Sequence, residues 1–188
     1  LFPLGLGPIQ EKLNIVSNAV IWVGLILAII PSLEKILQKD FENGWLDQIA
    51  TSPIPLEIVM LSKGLSYWLI ILIPLIITSP IFAILLDMDL KNIPWLVISI
   101  SAGSLAISLI GLSGSALILG ARRGNILLPI LIIPLMTPIL IFGVGVNEAI
   151  KINASPYGNL FLLLALTLVY LVISPFISAL LVRIAIGR

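Results

Sequence analysis

INASPYGNLFLLLALTLVYLVISPFISALLV, residues 152–182, runs without a single Asp, Glu, Lys or Arg. A bilayer core is about 30 Å thick and a helix rises about 1.5 Å per residue, so roughly 20 apolar residues cross it. Working back towards the N-terminus, four more uncharged stretches follow the same rule, at 124–147, 92–121, 64–86 and 13–33. None alternates polar and apolar residues as a membrane β-strand would. The expected fold is therefore all-α, a polytopic membrane helical bundle with five complete spans. Residues 1–8, LFPLGLGP, read as the last turn of a preceding span and its exit. On that reading the intact bundle has six spans, residues 1–188 form a single transmembrane domain lacking its N-terminal part, and 34–63 is the one sizeable loop.

Composition agrees with this architecture. Of 188 residues 60% are hydrophobic and only 10% charged, with a mean hydropathy of +1.22. A soluble domain carries about 25% charged residues. The net charge of +1, with no basic cluster beyond the pair Arg122–Arg123, argues against nucleic acid as a partner. The chain has no cysteine and no histidine, which removes disulfides, thiolate metal sites and the commonest near-neutral acid–base group. No phosphate-binding loop ending in Lys-Ser or Lys-Thr occurs. No nucleophile–base pair or metal set is present either, so the chain reads as non-catalytic, with any energy source on another subunit.

Lys and Arg set the orientation. Lys35, Lys39, Lys63, Arg122, Arg123, Arg183 and Arg188 fall at one end of the spans, against Lys12, Lys91 and Lys151 at the other. The positive-inside rule places the first group on the inner side. Arg122-Arg123-Gly124 then forms an inner-side turn, read as a topology anchor or as an ionic contact. Asp87, Asp89 and Glu148 fall at span ends, as solvated caps. Trp22, Trp45, Trp68 and Trp95 read mostly as interfacial anchors, with Trp68 deeper.

Within the third span, Ser104, Ser108, Gly111 and Ser115 recur at i, i+4, i+7 and i+11, a small-residue face that lets another backbone approach. Intramolecular packing, a subunit seam and a translocation path all use such a face. Pro129, Pro134 and Pro138 fall in one span, which predicts a bent or broken helix.

The loop at 34–63, EKILQKDFENGWLDQIATSPIPLEIVMLSK, holds five of the nine acids. Asn43-Gly44 punctuates it, and a short helix from Trp45 is expected to stop at Ser52-Pro53. Trp45, Ile49 and Leu46 would form its apolar face, with Asp47 and Gln48 turned away. Such a helix can lie in the lipid interface or dock in a groove of a partner. Its acids disfavour anionic lipid headgroups.

The order acidic stretch, Gly44, Leu46, Asp47-Gln48, Pro53 resembles the inner loop of type-2 ABC exporter permeases. More narrowly, the chain resembles the CcmB family, the heme exporter permeases of cytochrome c maturation. The matching pieces are LFPLGLGP at 1–8, DFENGWLDQIATSPIP at 40–55, SPIFAILLDMD at 79–89, GARRGNILLPILIIPLMTPILIFG at 120–143 and SPFISALLVRIAI at 174–186. Trp45 departs from the small or polar residue more usual there. The resemblance implies a permease subunit in a bacterial inner membrane or, alternatively, a mitochondrial one. It implies two copies of a CcmA-like ATPase that binds the ATP, a CcmC-like heme-handling protein, a CcmD-like small subunit, and a CcmE-like chaperone that receives heme. By position it makes Asp40, Glu42, Gly44, Leu46, Asp47, Gln48 and Pro53 candidates for ATPase coupling, with Leu46 as apolar anchor and Asp47 facing a basic residue of the ATPase. Heme is implied as substrate of the complex, and no cofactor is expected to be bound by this chain itself. Only Met60, Met88, Met136, Tyr67, Tyr157 and Tyr170 are candidate iron ligands, and axial ligation by them is not expected. A secondary transporter and a structural assembly scaffold are the competing readings.

Overall fold

The computed structural model describes residues 10–119 and 124–187. Helix α1 (Gln10–Leu33) passes through a single turn at Glu34 into α2 (Lys35–Glu42). The short α3 (Trp45–Ala50) follows, then α4 (Leu56–Tyr67), a π-helical turn Trp68–Leu72 and α5 (Ile73–Leu85). A 3-10 turn (Leu90–Asn92) leads into α6 (Ile93–Leu117), and α7 (Gly124–Lys151) and α8 (Tyr157–Ala185) complete the order. Among the described residues there is no strand, and five helices are long and apolar enough to cross a membrane. The segment that completes a preceding span on the sequence reading, 1–8, lies outside the described residues, as do Arg122 and Arg123.

The central element is α6. Buried residues make up 67% of its most apolar stretch, against 22% for α8. Its small-residue face forms one side of that packing. Trp68 Nε1 donates to Ser104 Oγ at 2.9 Å, and Ser108 Oγ donates to the Gly64 carbonyl at 2.7 Å. One turn further on, Leu33 fills the notch at Gly111, where an added Cβ would lie 2.3 Å from Leu33 Cδ2. The Leu33 side chain of α1, the Trp68 ring and the α4 backbone at Gly64 thus sit directly against α6, as small residues permit.

The opposite side of α6 packs on α8 through hydroxyls that the sequence pattern did not single out. Thr167 donates to the Ala102 carbonyl at 2.8 Å, and Ser174 to the Leu109 carbonyl at 2.6 Å. Ser113 Oγ lies 2.9 Å from Ser174 Oγ and 3.2 Å from Ser178 Oγ. The spacing of Thr167, Ser174 and Ser178 is i, i+7, i+11, the same helical signal as on α6. Hydroxyl bonds between membrane helices are worth about 0.6 kcal/mol on average, because the unfolded segment also finds partners. Ser174→Ala is therefore expected to lower stability by only about 1 kcal/mol, read as a small fall in Tm in detergent. A loss as large as that of the glycine variant discussed below would give the ladder a much larger role.

The structure narrows one expectation from the sequence and overturns another. Of the two forms the prolines allowed, bent or broken, α7 is not broken: it runs as one continuous helix through Pro129, Pro134 and Pro138. The interruption is in the second span, where the π-helical turn Trp68–Leu72 precedes Pro74. Proline lacks an N–H and its ring crowds the carbonyl four residues back, and widening the preceding turn relieves both. Trp22 is not an interfacial anchor but fully buried, its ring against Gly143 and Gly103. Around it, Asn18 Nδ2 donates to the Val144 carbonyl at 2.8 Å, and Asn147 Nδ2 donates to Asn18 Oδ1 at 3.3 Å. Those bonds fix α1 against α7, and the indole fills the space that Gly103 and Gly143 leave.

The helix ends carry the charges. Arg183 donates to Glu57 at 2.7 Å at one end, and Lys151 to Glu148 at 2.9 Å at the other. Near that second end Trp95 and Tyr157 meet edge to face, 5.7 Å between centroids. Among the described residues no Asp, Glu, Lys or Arg is buried.

Candidate functional site

The candidate site is the hairpin of α2 and α3 at the end of the bundle that carries Lys35, Lys39, Lys63 and Arg183. Helix α2 ends at Asn43, whose N–H donates to the Lys39 carbonyl at 3.0 Å. Gly44 follows with φ +70° and ψ 10°, the left-handed conformation. A Cβ at Gly44 would meet nothing within 4 Å, so the backbone conformation, not space, favours glycine here. Helix α3 starts at Trp45, and Thr51 and Ser52 close it by donating to the Gln48 and Ile49 carbonyls at 2.8 and 2.7 Å. Pro53 and Pro55, both exposed, carry the chain into α4.

The inner side of this hairpin is a packed seat. Leu37 and Leu46 have no exposed surface and cluster with Leu56, Met60, Leu112, Ala116, Ala179 and Val182. Lys63 closes the seat by pairing with Asp40, and its ammonium lies 4.6 Å from the centre of the Trp45 ring. The sequence pattern assigned Lys63 only to orientation, yet a half-buried acid such as Asp40 calls for a cation within reach. Leu46 is the correction: it points into the bundle and offers no anchor to a partner. A six-residue helix has room for one buried position per turn, and the hairpin's own attachment to the membrane helices occupies it.

The outer side of the hairpin is polar. Glu42, Asn43, Asp47, Gln48, Thr51 and Pro53 are exposed. Gln38 donates to Glu42 at 2.8 Å, whereas Asp47 has no salt bridge among the described residues. The structure thus brings Asp40, Glu42, Gly44, Leu46, Asp47, Gln48 and Pro53 onto one element, in two groups. Asp40 and Leu46 hold it down, while Glu42, Asp47, Gln48 and Pro53 present an acidic and polar tip. Gly111 and Ser115 of α6 lie beneath its root, Ser104 and Ser108 lie further along α6 towards α4, and Gly124 opens α7.

The membrane part offers little chemistry. Among the described residues no group of three or more metal-binding carboxylates, cysteines or histidines occurs. Met60 is part of the seat, Met88 and Met136 lie in the main core, and Tyr67 OH pairs with Ser32 Oγ. A groove of about 610 Å³ between α1 and α5, lined by residues such as Gly24, Ala28, Leu75, Ser79 and Phe82, carries no charged side chain.

Five helices long and apolar enough to cross a membrane, with a hairpin seated at one end, define a multi-pass helical membrane protein. The family model described as CcmB protein matches residues 1–185, and the chain belongs to that family. It is 39% identical over 184 residues to heme exporter protein B of Paracoccus denitrificans, covering 98% of this chain and 84% of the relative. Heme exporter protein B of Pseudomonas aeruginosa is 38% identical, covering 100% and 84%. The Escherichia coli K12 protein of the same name is 35% identical, covering 99% and 84%.

Proposed function

We propose that this chain is the membrane subunit of an ABC-type complex for heme export or delivery in c-type cytochrome biogenesis, in the bacterial inner membrane. In this reading a separate, CcmA-like ATPase docks on the α2–α3 hairpin. Its ATP hydrolysis drives release or transfer of heme to an outer-side chaperone, with CcmC-like and CcmD-like subunits completing the assembly. The observation that carries the reading is the hairpin's division into a buried seat and an exposed tip, in a chain whose family relatives are named heme exporter protein B. A fixed seat lets force on the tip reach the bundle, and exposed acids at the tip suit a basic cleft on a soluble partner. A secondary transporter is the weaker reading, since such proteins place ionisable groups inside the bilayer and no charged residue is buried among those described. A structural scaffold needs no such hairpin.

The test is affinity purification of the intact complex in mild detergent. The native chain is expected to bring down an ATPase together with a heme-handling membrane protein. Asp47→Lys, which reverses charge on an exposed side chain, is expected to lower ATPase recovery at least tenfold while the chain's own yield and Tm stay native. Undiminished recovery with Asp47→Lys would exclude the tip as the docking surface.

A further inference from the structure

The root of the hairpin is held from outside its own helix. Helix α2 begins after Glu34, and its first N–H groups need partners beyond the helix. Normally the residue before the helix supplies one, through a short side chain of Ser, Thr, Asp or Asn that accepts from the third N–H. Glu34 keeps helical dihedrals, φ −56° and ψ −37°, and makes no such bond. The bond comes from another helix instead. Leu37 N–H donates to Ser115 Oγ of α6 at 3.2 Å, and the same hydroxyl lies 3.3 Å from the Glu34 carbonyl, to which it donates. Ser115 is fully buried. One turn away Leu33, the last residue of α1, is lodged in the Gly111 notch of α6.

We propose that Ser115 is the positioning residue that caps the coupling hairpin in trans and makes α6 follow the hairpin's movement; this rests on the ATPase-coupling reading above. The alternative ties are weaker. The Asp40–Lys63 pair is partly exposed, with side chains 23% and 29% accessible, and solvent screens such a pair so that it holds little. The Leu37–Ser115 bond is buried, and a buried N–H left without its partner is costly. The seat leucines are non-directional contacts and hold the hairpin down without setting its angle, whereas a hydroxyl bonded on both sides fixes the angle between α2 and α6. Because α6 is the most buried helix and touches every long helix of the bundle, tilting it displaces the bundle as a whole.

The experiment uses the full complex with its ATPase and spin labels at Leu90→Cys and Ile152→Cys, exposed sites in an otherwise cysteine-free chain. Leu90 precedes α6 and Ile152 follows α7, so their separation reports movement of the far end of α6. On addition of ATP the native complex is expected to shift that distance. Ser115→Ala is expected to retain the ATPase at native recovery and to lose the shift. Ser108→Ala removes a comparable buried hydroxyl bond of α6, to the Gly64 carbonyl, without touching the hairpin. It is expected to keep the shift. A shift that survives Ser115→Ala, or is lost equally with Ser108→Ala, overturns the proposal, because the tie to α2 then does not carry the movement. A native complex that holds the ATPase but shows no shift overturns it as well. A native chain that recovers no ATPase overturns the coupling reading itself, and this inference with it.

Discussion

Leu46→Asp is expected to abolish the folded protein rather than to disable one contact. Leu46 has no exposed surface and lies in the apolar cluster of Leu37, Met60, Leu112, Ala116, Ala179 and Val182, with the nearby Lys63 already paired to Asp40. Truncating a buried leucine alone removes about 2–5 kcal/mol, and an uncompensated buried charge adds about 3–5 kcal/mol. The sum is comparable to the whole stability of an ordinary domain, about 5–15 kcal/mol. Fluorescence-detected gel filtration in detergent is expected to show aggregate in place of the native peak. Leu46→Met, close in volume, is expected to cost under about 1.5 kcal/mol. A monodisperse, native-Tm Leu46→Asp protein that has merely lost its ATPase would show that the side chain faces outward. Asp47→Lys, one residue on, is expected to do the opposite. The two substitutions thus separate the seat from the tip.

Gly143→Val is expected to be the second large loss. A Cβ on Gly143 would lie 2.3 Å from Trp22 Cζ2 and 2.6 Å from Cε2 and Cη2. The indole cannot retreat, since it is fully buried and also bears on Gly103, where a Cβ would stand 2.8 Å away. Overpacking of this kind costs about 1–3 kcal/mol when neighbours can shift. Here the shift separates α1 from α7 and breaks the Asn18–Val144 bond beside it. A Tm fall of more than about 10 °C, or failure to accumulate, is expected, since about 1 kcal/mol shifts Tm by a few degrees in a domain of this size. Gly24 is the internal control, because a Cβ there meets nothing within 4 Å, and Gly24→Ala is expected to leave Tm unchanged or slightly raised. Equal losses at both positions would mean that helix propensity, not the Trp22 contact, sets the cost.

Some of this organisation is legible in the residues. The small-residue period on α6 marks a face where other helices come close, and Asn43-Gly44 marks the hairpin turn. The direction of Leu46 is not legible, because in a six-residue helix both Trp45–Ile49 and Leu46 qualify as an apolar side. The burial of Trp22 is equally hidden. Its partners Gly103 and Gly143 lie on two other helices, and tryptophan is as acceptable at a membrane interface as in a core. The three prolines of α7 leave the helix unbroken, since proline inside a membrane helix is tolerated where neighbouring groups satisfy the freed carbonyls. The Thr167, Ser174 and Ser178 ladder was readable by spacing, but a lone hydroxyl can equally bond its own preceding turn, as Ser99 does to Leu96 at 2.9 Å.

The order of residues along the chain suffices for the number and position of the membrane-crossing helices, the end of the bundle that gathers positive charge, and the place of the acidic hairpin. Each follows from a run of like residues longer than a bilayer is thick, or from charges that must stay in water. Folding in three dimensions was needed to establish which face of each helix is inside, that α6 is the hub, and that Ser115 caps a helix it is not part of. The reason is physical. Lipid tails are as apolar as leucine, so hydropathy does not distinguish a lipid-facing side from a helix-facing one. That choice is made by shape, through glycine notches and single hydroxyl bonds between residues as many as 81 positions apart.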